Sequence, residues 1–243
     1  MITKSLLINH HYRNEVIHHI VEKDYKSVLD VGGAMGPWPD PTAQHFYKRN
    51  VVTAHMDYNC HMLNDDTIKF GGNMSNYWEW DELLEYVAHY GKFEFCICTQ
   101  TLEDIRDPVT VLHMLPKVAE RGYIDIPSKY LELHKGCEAD TLDPKKDVPG
   151  WGIHSAFYGF TGHRWILNMI DDVLWLVPKL AWIEVLEGIE HIGEQLSEEA
   201  QNGFLAFWWE GDEIPCKVVG DDFLGPNPPA CFNMVRDCLN KGL

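Results

Sequence analysis

Basic residues are scarce in this chain. Twenty lysines and arginines stand against 37 aspartates and glutamates, a formal net charge of −17. Affinity for a phosphate backbone comes largely from Lys and Arg, and no run of them is visible, so nucleic acid is not expected as a partner. Long apolar runs are missing too. The longest late one, 173–183, is broken by Pro178 and Lys179 and is too short to span a bilayer, so no membrane partner is expected. The opening Met-Ile-Thr-Lys-Ser-Leu-Leu-Ile-Asn-His-His has neither the apolar stretch nor the small-residue cleavage site of a secretory leader. A cysteine framework is absent: the seven cysteines follow no regular spacing, and Cys96 and Cys98 sit inside an apolar run. That usage points to reduced thiols and a cytoplasmic setting. Low-complexity tracts and internal repeats are lacking as well.

What is present is ample core material. Hydrophobic residues make up 45% of 243 positions, enough for one domain over 1–243. Residues 12–23 carry Tyr12, Val16, Ile20 and Val21 at helical spacing, with His10, His11, His18 and His19 expected to face solvent. Strands are expected at 26–31, 51–57, 67–70, 93–98 and 122–126, with helices at 80–89 and 107–119. This alternation predicts an α/β fold, a parallel sheet with helices on both faces. Residues 129–165, polar and punctuated by Gly and Pro, read as an insertion or lid. Further on, 166–177 looks helix-like and then strand-like, 182–186 and 204–209 look like a closing hairpin, and a short helix is expected near 231–239.

The chemistry concentrates at the end of the first strand. Asp30 is followed by Gly32, Gly33, Ala34 and Gly36, and Pro37, Pro39 and Pro41 then forbid an immediate helix. Glycine permits φ > 0 and removes a side chain that a ligand would strike. Asp57 lies 21 positions beyond Gly36, where an acid at a strand end can accept hydrogen bonds from ribose hydroxyls. The dinucleotide fingerprint G-x-G-x-x-G fails at its second glycine, and no P-loop lysine follows. The ligand implied is adenosine-like but not a dinucleotide.

The segment from Asp30 to Gly36 resembles the first motif of the class I S-adenosylmethionine-dependent methyltransferases, D/E-x-G-x-G-x-G, with Ala34 at the middle glycine. Asp57 matches that family's ribose-binding acid, Gly72-Asn73-Met74 falls at its adenine contact, and 93–108 looks like its fourth strand and following stretch, with Asp104 in place of a common histidine. The resemblance covers about 26–128, which would be the cofactor-binding half, and implies a doubly wound, mainly parallel seven-stranded sheet, Rossmann-like, with an inserted or C-terminal substrate-covering segment. It implies S-adenosyl-L-methionine as cofactor, held by Asp30, Gly32, Gly33, Ala34, Gly36, Asp57, Tyr58, Asn73, Met74, Thr99 and Gln100. It implies in-line methyl transfer to a small-molecule acceptor. His163, His154 and Glu103 are the catalytic candidates. They could also form a His/His/carboxylate metal set, which nothing in their spacing demands, and no metal is expected. The alternative is a methyltransferase-like binding or scaffold protein without catalysis, favoured by Ala34 and the proline loop. A nicotinamide-dependent oxidoreductase is disfavoured by the glycine spacing.

Overall fold

The computed structural model describes residues 1–9, 12–33, 52–63, 66–137, 157–196, 202–220 and 228–243. They fall into two compact units. The first comprises Met1–Ser5, His10–Ile126 and Ala206–Pro215; the second comprises Leu6–Asn9, Pro127–Leu205 and Cys216–Leu243.

The first unit is built on short strands, several of them buried along their whole length. β1 (Ile2–Ile8) is followed by helix α1 (Arg13–Lys23), then β2 (Val28–Val31), β3 (Ala54–Asp57) and β4 (Ile68–Gly71). Helix α2 (Asp81–Tyr90), β5 (Phe95–Thr99), helix α3 (Pro108–Val118) and β6 (Arg121–Pro127) continue the alternation. Every residue of β2 and β3 is buried, as expected for parallel strands covered on both faces. β2 pairs in parallel with β3 and β5, β3 with β4, and β5 with β6. With β9 (Phe204–Glu210), the order is β1-β9-β6-β5-β2-β3-β4. The chain runs outward from β2 to β4, then returns to start again at β5. That reversal makes the carboxyl ends of β2 and β5 the place where such sheets open a crevice.

Helix α3 shows how local sequence fixes these elements. Asp107 accepts from the Thr110 N–H at 3.2 Å as its N-cap, and Pro108 occupies the first turn, where a missing N–H costs nothing. Val111, Leu112, Leu115 and Val118 are fully buried along one face. In α1 the buried stripe is Val16, Ile17 and Ile20, whereas Val21 is 49% exposed. His18 is exposed, but His19 is not solvent-facing as expected. It packs edge-on to Trp208 with centroids 4.7 Å apart, and beside Tyr25 and Phe95. Burial, then Lys23, pulls its pKa below the usual value. His10 and His11 lie outside the described residues.

The second unit holds an unexpected three-stranded sheet, β10-β8-β7. β7 (Trp165–Ile170) and β8 (Val173–Pro178) are antiparallel, and β10 (Cys216–Val218) adds in parallel to β8. Residues 166–170 are therefore strand, not helix. The reason is the turn: Asp171 and Asp172 both have positive φ, 51° and 58°, the two-residue geometry that matches strand twist. Residues 182–186 are likewise not half of a hairpin. Ala181–Val185 is a 3₁₀ turn, and 204–209 alone joins the large sheet. Short helices α4 (Lys129–Glu132) and α5 (Glu190–Gly193) and the terminal helix α6 (Pro228–Leu239) complete the unit. Its core gathers Leu133, Ile166, Val177, Ile189, Val235 and Leu239, among others. All seven cysteines are free. Among the described residues no helix is long and apolar enough to cross a membrane.

Candidate functional site

At the carboxyl ends of β2 to β5, within the first unit, lies an open cleft of about 350 Å³. Six of the residues singled out from sequence line it together: Gly32, Asp57, Tyr58, Asn73, Met74 and Gln100. They come from four separate strand ends, so the sheet alone brings them to one place. Gly72, Thr101, Asp104 and Ile105 complete the wall.

Each lining group is fixed by its own backbone. Gly32 leaves β2 with φ +84°, and its N–H donates to the Met56 carbonyl at 2.9 Å. A Cβ there would strike the Thr101 side chain, and a Cβ on Gly33 would overlap the Asp30 carboxylate. These two glycines thus make room for the chain's own side chains, which differs from the expectation that they clear space for a ligand. Asp57 ends β3, and its Oδ1 accepts from the Asn59 N–H at 2.8 Å. That bond sets the carboxylate's orientation, and an ionised carboxylate has acceptor capacity beyond it. Asn73 Oδ1 accepts from the Ser75 N–H at 3.0 Å, and the Met74 carbonyl accepts from Trp80 Nε1 at 2.9 Å. The loop that follows β4 is therefore firmly seated. Gln100 sits at φ +49°, a conformation that costs energy for a residue with a Cβ. Asp125 compensates: its carbonyl accepts from Gln100 N and its Oδ1 from Gln100 Nε2, both at 2.9 Å.

Other predicted residues fall elsewhere. Asp30 and Thr99 do not line the cleft; Asp30 is buried at the end of β2, and the Thr99 carbonyl accepts from Thr101 Oγ1 at 2.9 Å. Glu103 is buried, only 1% exposed, and does not line the cleft. Its neighbour Asp104 lines the cleft together with Asp57. Ala34, Gly36 and His154 lie outside the described residues. Thr101 and Ile105 went unread, because nothing in the sequence shows that Thr101 packs on Gly32. Burial drives the thiols of Cys96 and Cys98 well above the ordinary cysteine range, with Asp30 adding to both. They stay protonated, so β5 supplies no thiolate nucleophile.

His163 belongs to the second unit. Its Nδ1 lies 2.5 Å from Glu132 Oε1, while Lys179 Nζ donates to Glu132 Oε2 at 2.5 Å and to the Phe160 carbonyl at 2.8 Å. Glu132 is fully buried and His163 retains 15% side-chain exposure. A neutral imidazole donating Nδ1–H to a carboxylate presents Nε2 as its acceptor atom. Neither Glu132 nor Lys179 was singled out from sequence, because single charged residues in apolar company carry no periodic signal.

No protein-family model matches the chain, and no curated protein matches it. Solved structures with some likeness include the methyltransferase domain of a bacterial CtHen1, at 8% identity and TM-score 0.42, covering 83% of this chain and 100% of that one. The N-terminal domain of EvdMO1 with SAH bound matches at 10% identity and TM-score 0.37, over 84% and 82%. The MycE methyltransferase from the mycinamycin biosynthetic pathway, in complex with Mg, SAH and mycinamycin VI, matches at 13% and 0.38, over 89% and 52%.

Proposed function

We propose that the chain is an S-adenosylmethionine-dependent methyltransferase acting on a small-molecule acceptor. The observation that carries this reading is the convergence in one cleft of Gly32, Asp57, Asn73, Met74 and Gln100, which the sequence separates by up to 68 positions. The cleft sits at the reversal of strand order, where doubly wound sheets take nucleotide-like ligands, and its volume falls within the usual range for small-molecule sites.

The residues suit the cofactor. Asp57, oriented by Asn59, supplies lone pairs for a ribose diol. Met74, buried beside Asn73, offers an apolar surface, and Tyr58 an exposed ring, for the adenine. Gln100 and Thr101 hold the turn at the end of β5. When bound, the cofactor supplies an electrophilic methyl carbon. The chain's part is to bind and orient, and holding donor and acceptor in line can supply about 7–11 kcal/mol at best. The net charge of −17 favours a small molecule over a polyanion as acceptor.

Calorimetry with S-adenosylmethionine and S-adenosylhomocysteine tests the reading. Micromolar binding is expected, weakened about 10–100-fold in Asp57→Asn, the value of a charge-assisted hydrogen bond. Absence of heat with both ligands would overturn it. Binding without methyl transfer to any acceptor of a broad panel would favour a non-catalytic binding protein instead.

A further inference from the structure

His55 is the least expected residue of the large sheet. It stands mid-strand in β3, fully buried, at a position where parallel strands carry Val or Ile. In register it faces Asp30 of β2 on one side and Lys69 of β4 on the other. Its Nδ1 lies 3.4 Å from Asp30 Oδ2. Asp30 in turn fills the space beside Gly33, where a Cβ would overlap both carboxylate oxygens. A buried carboxylate is costly unless donors or positive charge face it. His55 is the β3 side chain that faces this carboxylate, and it lines no part of the cleft itself.

We propose that His55 is a positioning residue for the cofactor turn: its Nδ1–H holds the Asp30 carboxylate against Gly33, and Asp30 thereby sets the Gly32–Gly33 backbone at the cleft. The proposal rests on the methyl-transfer reading above. At 3.4 Å the contact is longer than a formed N–H···O bond. Such contacts tighten when a ligand orders the site, and the same is expected here.

The test separates the two ring nitrogens. Asparagine places its amide nitrogen near Nδ1, whereas glutamine places it near Nε2. S-adenosylhomocysteine is titrated calorimetrically into the full chain as wild type, His55→Asn, His55→Gln and Asp30→Asn, and into both His55 variants in the Asp30→Asn background. Wild type and His55→Asn are expected to agree within about threefold, and His55→Gln to bind about tenfold more weakly. In the Asp30→Asn background the difference between the two variants should vanish. In wild type, the Nδ1-bound proton of His55 should move downfield in nitrogen-edited spectra when the ligand is added.

Equal affinities for His55→Asn and His55→Gln, or a difference that survives in the Asp30→Asn background, would overturn the proposal. If His55→Gln does not fold, an unmoved Nδ1 proton in wild type does the same. Failure of the wild type to bind at all removes the methyl-transfer reading first, and this proposal with it.

Discussion

Thr101 and Gly32 form a pair that only the folded chain reveals. A methyl at Gly32 meets the Thr101 side chain and also forces an L-residue to φ +84°. Gly32→Ala is expected to destabilise by about 1–3 kcal/mol from the backbone alone, with steric overlap added. Gly32→Ala/Thr101→Gly should recover the steric part and not the backbone part. Urea melts of the single and double variants measure both, and equal melts would show that the overlap is relieved elsewhere. Glu132 poses the opposite case, a charge whose partners cannot be spared. With Lys179 and His163 at 2.5 Å, Lys179→Met leaves a buried carboxylate without its ammonium, a loss of about 3–5 kcal/mol. Removing both charges, as Glu132→Gln/Lys179→Met, should cost less than the sum of the two single substitutions. An additive double variant would mean that the pair does not act as a unit.

At the level of elements, the first half of the sheet was legible and the rest was not, for physical reasons. Segments such as 28–31, apolar but for Asp30 and followed by Gly32, and 95–99, apolar up to Thr99, write strand and boundary in the same few residues. β1 was missed because its burial does not alternate: Ile2 and Ile8 are buried at its ends while 3–7 are exposed or half-buried. At 181–185 the apolar letters misled, since only Ile183 of that turn is buried. The hairpin of β7 and β8 was hidden because Asp-Asp is a weak turn signal beside Asn-Gly. Both residues nonetheless hold positive φ, with Ile170 opposite Val173 closing the loop. Asp171→Asn/Asp172→Gly installs the preferred pair for this turn and should stabilise by roughly 0.5–1 kcal/mol. A lower melting temperature would show that the aspartate side chains contribute more than the backbone strain they accept. The candidate site followed the same division. Its glycine, acid and amide positions were readable because a turn and a strand end constrain residue type. Glu132, Lys179, His55 and Thr101 were not, because their roles depend on which neighbours the fold delivers.

Across the whole molecule, the alkaline stability profile is set in part by one buried lysine and one buried cysteine of the second unit. Lys129 is 3% exposed, and its ammonium donates to the carbonyls of Lys241, at 2.5 Å, and Gly242, at 3.1 Å. Burial lowers its pKa from 10.5 to about 8. Cys238 is raised from 9.0 to about 11, again chiefly by burial. The signs oppose each other. Between pH 8 and 10.5 the unfolded chain holds the Lys129 proton more firmly than the folded one, so stability rises with pH, by at most about 1.4 kcal/mol per unit. Between pH 9 and 11 the folded chain keeps the Cys238 proton that the unfolded chain has lost, so stability falls at up to the same slope. Measured against a Lys129→Met/Cys238→Ala reference, which cancels the titration of all other groups, the wild type should gain stability from pH 8 to 9 and then level off. Cys238→Ala alone should keep gaining to about pH 10.5, while Lys129→Met alone should decline from pH 9. Chemical denaturation of the four proteins at half-unit intervals reads these slopes. Parallel curves for all four would mean that neither group is desolvated in the folded chain, and that the C-terminal residues are held by their backbone bonds alone.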